Sequence, residues 1–502
     1  MIRITLICLC ALITQINFVC GQGVQKSPSA GKSGLVSPAY RIEMHLAGLK
    51  DTTAYLGYYY GESTYLNDTA KVDSRGHLVF DGPKELAQGV YFLVLNKTRV
   101  FEFLVSSNQR FLLEASTEDF VKTMKVTGDT DNRLFFESMV FNGERNQEAE
   151  PMVKVLRDSL ASENAKKTAR AEMEKVNKKV EAYQASIVAA HPQSLTARIM
   201  TATRPMVIPD PPKKANGSID STFQYRYYRS HFWDGFNLAD DALIRLPRPV
   251  YQEKIKEYFS RVVPPMPDSV IAEIDRLASI ARANQETYKY FIWMCVIEFQ
   301  NPKIMGLDAV YVHLIRKYFE SGQMDFWINA TLRKNLKERA DQIALSLIGQ
   351  TAPNLIMLDK DMQPRDMHKV KNRYTILYIF DPDCGHCRQE TPKLVKFYNE
   401  NKLKFDFEVY AVSADTSMQK MKDFIKEMKM PWITVNGPRT YVGNYQKLYD
   451  ADQTPTMYII DQRKKIIAKK PPIEELKNFF TNQERIRLSQ AKSPASATTG
   501  KP

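Results

Sequence analysis

The sequence predicts a multidomain α+β protein with a small antiparallel β domain, a mostly helical middle region and a C-terminal α/β domain. Three observations lead to this prediction. The length of 502 residues is enough for about three domains. Apolar residues alternate with polar ones near the N-terminus, recur at helical spacing in the middle, and form strands that alternate with helices in the last third. The composition, 44% hydrophobic and 25% charged, is that of an ordinary folded protein.

Residues 1–21 have the pattern of a signal peptide for export. Arg3 supplies the positive start, the stretch from Ile4 to Ile13 is nearly all apolar, and small residues suit cleavage before Gln22. Lipid modification of Cys20 is the alternative, although the residues before it make a poor lipobox. No later stretch reaches the roughly 18 to 20 apolar residues of a membrane span. We therefore expect an exported chain without a transmembrane segment.

The net charge of +13 does not indicate a nucleic-acid-binding protein. The 70 basic and 57 acidic residues are interspersed along the chain and form no basic block. Such a pattern is typical of a solvated surface. An exported protein would also rarely meet nucleic acid.

Residues 22–38 are rich in Gly, Ser and Pro and are predicted to form a flexible tether. From Tyr40 to about Gly128, apolar and polar residues alternate with period two, and turn residues separate the runs. This pattern predicts an antiparallel β domain over residues 39–130. Within it, Tyr58 to Tyr60 are expected to pack on neighbouring strands and not to form a binding face.

Residues 131–344 are predicted to be mostly helical. The clearest helix, Glu163 to Ala190, combines strong helix formers with apolar residues three and four positions apart. His231 has no second ligand residue at metal spacing, so we expect a packed or surface histidine. Further helices are expected over Tyr251–Val262, Asp268–Phe299, Asp308–Ser321 and Leu332–Leu347.

Strands and helices alternate in the last third of the chain, which implies a mixed sheet with helices on both faces. The apolar run Tyr374 to Phe380 is predicted to be a central strand, and a helix is expected from about Arg388 to Asn401, interrupted by Pro392. The later elements expected are strand Phe407–Ser413, helix Ser417–Lys429, a hairpin of Thr456–Asp461 with Lys465–Lys469, and helix Pro472–Phe480. Residues 486–502 are low in complexity and are predicted to be a disordered tail.

Only three cysteines, Cys295, Cys384 and Cys387, remain once the signal is removed. A disulfide-stapled scaffold would carry more of them in even number. Cys295 lies in the apolar run FIWMCVI and is expected to be a buried core thiol. The close pair is then expected to act chemically. At the start of a helix, two such cysteines can form a disulfide, and the helix N–H groups and macrodipole stabilise the first thiolate.

Two other chemistries do not fit the cysteine pair. Haem attachment requires a His directly after the second cysteine, where Arg388 stands. A structural zinc ion would need two further soft ligands, and Cys295 is distant in sequence within an apolar run. We therefore predict a redox couple with no metal and no cofactor besides the cysteines.

Five features of the last third of the chain occur together: the CGHC motif of Cys384 to Cys387, Pro392 five residues later, Glu390, the turn Thr454-Pro455-Thr456, and the extra strand and helix that begin at Phe407. With these features, residues 345–485 resemble the thioredoxin-fold α/β domain of the exported TlpA/ResA-like family of thiol–disulfide oxidoreductases. The regions before them resemble the N-terminal extensions of unknown function that some secreted thioredoxin-like proteins of Gram-negative envelopes carry.

The resemblance implies a role for each of these residues. Cys384 is the attacking thiol, and Cys387 resolves the mixed disulfide. His386 tunes the potential, which we expect between about −180 mV for a disulfide isomerase and about −270 mV for thioredoxin. Glu390, or water, accepts the proton of the second thiol, because a tyrosine replaces the acid that thioredoxin has six residues before its first cysteine. The segment Thr454-Pro455 binds substrate through a cis-proline loop.

The function implied is thiol–disulfide exchange with protein substrates in the periplasm of a Gram-negative cell envelope, as a reductase or isomerase. A reductase would need an electron donor in the membrane. The alternative is an envelope binding protein whose thioredoxin-like domain is sensory or accessory. The sequence leaves the direction of exchange open.

Overall fold

The computed structural model describes residues 38–213 and 216–492, so the predicted signal peptide, Cys20 and almost all of the tether lie outside the described residues. No helix in these ranges is both long enough and apolar enough to cross a membrane. The chain divides into two compact units, and the division falls inside the helical region. The two units comprise residues 38–262 with 280–288, and residues 263–279 with 289–492.

The β domain of the first unit consists of two four-stranded sheets, with strand orders β4-β1-β7-β8 and β3-β2-β5-β6. All neighbouring strands are antiparallel except β1 and β7, which pair in parallel because the strands between them bring the chain back in the same direction. The prediction of an antiparallel domain is thus confirmed, except that the strands β1 and β7 pair in parallel. Strands β1 to β8 are Tyr40–Ala47, Thr53–Tyr60, Ser63–Lys71, His77–Gly82, Gly89–Leu95, Thr98–Val105, Arg110–Ser116 and Lys125–Thr127.

The tyrosines of β2 pack against their neighbours in the sheet, as predicted. The Tyr58 ring lies 5.6 Å from that of Tyr65 and 5.7 Å from that of Tyr91. Tyr59 is buried and donates a hydrogen bond to Glu102 at 2.5 Å. Two of the three tyrosines, Tyr58 and Tyr59, are thus in contact with neighbouring strands of the sheet.

The helices of the first unit begin with a pair of long ones, α1 and α2. The predicted bounds of α2 are confirmed, and Ser162 caps its N-terminus by accepting a hydrogen bond from the Ala165 N–H. His231 stacks on Tyr227 with ring centroids 4.0 Å apart, as expected of a packed histidine. Helices α1 to α5 are Thr130–Arg157, Glu163–Ala190, Leu195–Thr203, Phe223–Ser230 and Val250–Arg261.

The single helix predicted over Asp268–Phe299 is wrong, because the chain breaks there into α6 and α7. The Asn284 side chain accepts hydrogen bonds from the N–H groups of Glu286 and Thr287 and so starts a new helix. Apolar periodicity on both sides hides this break in the sequence. The next helix, α8, continues as a π-helical turn over Ile315–Glu320. Helices α6 to α9 are Pro267–Ala281, Gln285–Gln300, Asp308–Leu314 and Ala330–Ala344.

The C-terminal domain is built on a seven-stranded mixed sheet with the order β10-β9-β13-β12-β11-β14-β15. Strands β11, β12 and β14 have the predicted bounds, but β9, β10 and β13 were missed. β9 and β10 are short, while β13 contains Asn436, Gly437 and Pro438, which favour a turn, and its pairing with β9 shifts register there. Strands β9 to β15 are Ile356–Asp359, Pro364–Asp366, Tyr374–Phe380, Phe407–Ser413, Ile433–Thr440, Thr456–Asp461 and Ile466–Lys469.

Two of the helices predicted around this sheet differ in their bounds. Helix α10 begins at Gly385, not Arg388, and it continues through Pro392, which has no N–H to donate to the Arg388 carbonyl. Helix α13 runs to Lys492, beyond the start of the predicted tail, and residues 493–502 lie outside the described residues. Helices α10 to α13 are Gly385–Phe405, Met418–Met428, Tyr445–Leu448 and Leu476–Lys492.

Strand β11 is buried on both faces and carries the chain to the CGHC motif. On one face, Tyr378 and Phe380 pack into a cluster with side chains of α10, α11 and α13. On the other face, Leu377 and Ile379 pack with Tyr410 and other residues. The strand end is therefore held from both sides, which fixes the position of the residues that follow it.

Candidate active site

Cys384 is the N-cap residue of α10, with extended backbone angles of φ −77° and ψ 120°. Its N–H donates to the Asp381 carbonyl at 3.1 Å, which closes a tight turn after β11. No side chain caps this helix, so the first N–H groups of α10 are free to interact with the Cys384 sulfur. Both cysteines of the motif are free thiols.

The pKa of Cys384 lies below its ordinary value of 9.0. Partial burial opposes this shift, but it is outweighed by hydrogen bonds to the sulfur from the backbone N–H groups of Cys387 and His386, from the Thr454 side chain, and from the Cys387 thiol. The thiolate is thus favoured at the exposed end of the helix. This arrangement is what an attacking thiol requires.

Cys387 lies one turn into α10 and has no solvent-exposed surface. Burial raises its pKa to about 12, although the Asp381 N–H, 3.5 Å from the sulfur, offsets part of the effect. Cys387 is therefore a protonated thiol at neutral pH. The two cysteines of the motif are chemically distinct because one is at the helix tip and the other inside the core.

The Thr454-Pro455 segment lies opposite the helix tip. Its peptide bond is cis, as the resemblance implied. The Cys384 thiol donates to the Thr454 carbonyl at 3.4 Å. The structure therefore brings the predicted substrate-binding segment against the predicted nucleophile.

The His386 side chain is exposed. Its backbone N–H donates to the Cys384 sulfur and lowers the pKa of that thiol. Its imidazole has no hydrogen bond or ion pair with any other described residue. Control of the potential by the His386 side chain stays a prediction.

Glu390 lies on α10 within three residues of Cys387, yet its carboxylate contacts Lys393. The Lys393 ammonium lies 2.6 Å from Glu390 Oε1 and 2.7 Å from Glu474 Oε1, so one lysine bridges two carboxylates. No hydrogen bond joins Glu390 to Cys387 among the described residues. A proton-transfer role for Glu390 stays a prediction and would require the lysine bridge to open or a water molecule to intervene.

Tyr378 occupies the position of the acid in thioredoxin and belongs to the core, as predicted. Its hydroxyl lies 2.9 Å from the Thr391 hydroxyl, which donates at 2.7 Å to the Cys387 carbonyl. Because Thr391 has one hydroxyl proton, Tyr378 must be the donor to Thr391. Burial raises the pKa of Tyr378 well above its ordinary value, so this residue stays a neutral phenol beneath the active site.

The sequence analysis missed Arg388 as a structural part of the active site. Its Nε–H donates to the Pro382 carbonyl at 3.0 Å, and its Nη1 lies 2.7 Å from Glu427 Oε1. The guanidinium carbon lies 5.5 Å from the centre of the Phe424 ring. Arg388 thereby ties the loop before Cys384 to α11. No sequence pattern signals this contact, since its partners on α11 lie almost forty residues away.

Asp381, Asp383 and Asp415 form an acidic cluster beside the nucleophile, with one oxygen of each within 4.8 Å of the others. A cation is already present there. The Lys420 ammonium lies 2.5 Å from Asp383 Oδ2 and 3.1 Å from Asp415 Oδ2. The Lys420 ammonium therefore pairs with two of the three carboxylates of the cluster and offsets one of their negative charges.

Cys295 lies on α7 and is 2% exposed. Burial raises its pKa well above the ordinary value. The prediction of a buried core thiol is thus confirmed.

Comparison with known families divides the chain into three segments. The model of the AhpC/TSA family matches residues 348–469. Two families described as domains of unknown function, DUF4369 and DUF5106, match residues 40–135 and 161–340. These two matches assign no activity to the β and helical regions.

Individual similarities are confined to parts of the chain. Probable nucleoredoxin 1 of Arabidopsis thaliana is 30% identical over 92 residues, which are 18% of this chain and 16% of that protein. Tryparedoxin of Trypanosoma brucei brucei is 30% identical over 86 residues, 17% of this chain and 58% of that protein. The chain thus spans less than two thirds of these curated relatives. A solved domain of a possible thiol-disulfide isomerase from Cytophaga hutchinsonii is 35% identical over 28% of this chain and 97% of that domain, with a TM-score of 0.27.

Proposed function

We propose that Cys384 and Cys387 exchange disulfides with other proteins of the cell envelope, since they lie in the segment that matches the AhpC/TSA family. The observation that carries the proposal is the opposite displacement of the two thiol pKa values, lowered at Cys384 and raised at Cys387. Attack needs a thiolate, and resolution needs a second thiol that does not compete with the first.

In the reductive direction, the Cys384 thiolate attacks one sulfur of a substrate disulfide. The substrate S–S bond breaks, its other sulfur leaves as a thiolate and takes a proton, and a mixed disulfide with Cys384 remains. Cys387 then loses its proton, to Glu390 or water, and attacks the Cys384 sulfur. The second substrate thiol is released, and the protein is left with a Cys384–Cys387 disulfide. The cysteine pair is the only redox group that these steps use.

If the protein is a reductase, a dithiol donor must restore the reduced cysteine pair, and we propose that this donor lies in the membrane. An isomerase needs no such donor, because it returns its electrons to the same substrate. The Thr454 backbone, whose carbonyl faces Cys384, would pair with an extended segment of the substrate. The signal-like residues 1–21 support export to the periplasm of a Gram-negative envelope.

Trapping of mixed disulfides in the native envelope tests this function. Cys387→Ala leaves the nucleophile without its resolving thiol, so covalent complexes with envelope proteins should accumulate and disappear on reduction. Cys384→Ala is the matched control, because its remaining thiol is buried and should trap nothing. If Cys387→Ala forms no more complexes than this control, exchange with proteins is excluded and a binding role with a sensory thioredoxin-like domain is favoured.

A further inference from the structure

Four charged side chains of the second unit meet in a buried network. The Lys469 ammonium lies 2.7 Å from Asp308 Oδ2 and 3.7 Å from Asp450 Oδ2, and all three side chains are less than 10% exposed. Arg339 Nη1 forms an ion pair with the other oxygen of Asp450. The Lys470 ammonium also lies 3.5 Å from Asp450 Oδ2. Both buried carboxylates of the network are therefore paired with cations, as charges removed from water must be.

The four residues come from two different parts of the chain. Asp308 begins α8 and Arg339 lies on α9, both within the segment that matches a domain of unknown function. Asp450 follows α12 and Lys469 ends β15, both in the thioredoxin-like domain. Within the second unit, the network thus joins the end of the helical region to the redox domain.

Asp450 is the point at which this network reaches the active site. It has a left-handed backbone, with φ +46°, and begins the loop that leads four residues later to Thr454. From α9, Gln342 Nε2 lies 3.5 Å from Asp450 Oδ1 and 3.4 Å from Asp452 Oδ2. The far end of the loop is held by pairing of Thr456 with Ile379 of β11. The contacts from α9 therefore hold the first residues of the cis-proline loop, at Asp450 and Asp452.

We propose that α8 and α9 position the Thr454-Pro455 loop for protein substrates, with Arg339 as the positioning residue. This inference rests on the proposed function, since it assigns part of the helical region a task in disulfide exchange. Arg339 touches no reacting atom and acts through Asp450. Its loss should weaken pairing of substrate with the loop while the Cys384 thiolate itself stays reactive.

The test compares two disulfides in single-turnover reactions of the pre-reduced full chain. Insulin presents polypeptide to the loop, whereas hydroxyethyl disulfide has no backbone to pair. For Arg339→Ala we expect the half-saturating insulin concentration to rise about tenfold, the effect of one lost polar contact, with the maximal rate within about twofold of wild type. The rate with hydroxyethyl disulfide should also change less than about twofold. Arg339→Lys should restore part of the insulin binding.

Arg333→Ala is the matched control, because Arg333 lies on the same helix and pairs with Asp325 away from the loop. If Arg339→Ala behaves like this control, or slows both disulfides equally, the inference is wrong. Should Arg339→Ala not fold, as judged by thermal unfolding, Gln342→Ala replaces it with an expected threefold weakening for insulin, and an unchanged value overturns the inference. A wild-type chain inert toward both disulfides would overturn the proposed function itself.

Discussion

Cys384 and Cys387 should ionise several pH units apart, and single alanine substitutions should reveal this separation. In Cys384→Ala, the remaining Cys387 is fully buried, with a pKa of about 12 against an ordinary 9.0. At neutral pH a thiol with the ordinary pKa is ionised to about 10⁻², whereas Cys387 should be ionised to only about 10⁻⁵. The thiolate fraction of Cys387 is thus about a thousandfold smaller than that of an ordinary thiol. In Cys387→Ala, Cys384 keeps the backbone N–H groups of α10, so its midpoint should stay below 9.0.

The assay is the rate of alkylation by iodoacetamide as a function of pH, followed by mass spectrometry. Cys295 is present and buried in both variants and serves as the internal control. Removal of Cys384 also removes a hydrogen bond that raises the pKa of Cys387, but burial is the larger cause and is retained. A midpoint for Cys387 at or below the ordinary value of a thiol would refute the reasoning.

Three further predictions concern other residues of the redox domain. Glu390→Gln should slow resolution of the mixed disulfide by up to about 100-fold if the carboxylate acts as the base. Glu474→Gln, which removes the other carboxylate on Lys393, should not slow this step. If Glu390→Gln has the same pH–rate profile as the wild type, the role of Glu390 as the base is rejected. His386→Ala should shift the reduction potential toward that of thioredoxin by at most about 90 mV, or about 4 kcal/mol, as measured against glutathione buffers. A wild-type potential below that of thioredoxin would contradict control by His386. At Asp450, burial raises the pKa but is outweighed by Arg339 and Lys469, which hold it below the ordinary 3.8. The free energy of unfolding should thus fall as pH decreases through and below that value, and denaturant titrations of Asp450→Asn should find this pH dependence reduced and stability lower by about 3–5 kcal/mol.

Elements with an uninterrupted apolar period could be predicted from the sequence. Helix α2 and strands β11, β12 and β14 have the expected bounds because their own side chains decide both burial and geometry. The break between α6 and α7 and the irregular strand β13 escaped, since a capping asparagine in one case and a register shift in the other run against the local pattern.

The candidate site divides in the same way. Cys384, Cys387 and the Thr454-Pro455 segment could be identified because short motifs mark them. The contacts of Arg388 could not be predicted. Besides the Pro382 carbonyl, its guanidinium contacts Glu427 on α11, almost forty residues away in sequence. Glu390 was predicted to act at the second thiol. In the structure its carboxylate contacts Lys393, which also pairs with Glu474, a residue distant in sequence.

The sequence by itself determined the thioredoxin-like core, the cysteine pair and the spacing of its motif, because these depend on residues that are neighbours along the chain. The tertiary structure decided how the two thiols differ, since burial and the direction of N–H groups set each pKa. It also decided that α8 and α9 reach the cis-proline loop through Asp308, Arg339, Asp450 and Lys469. Charges more than a hundred residues apart meet only when the chain has folded, and no local pattern records their pairing.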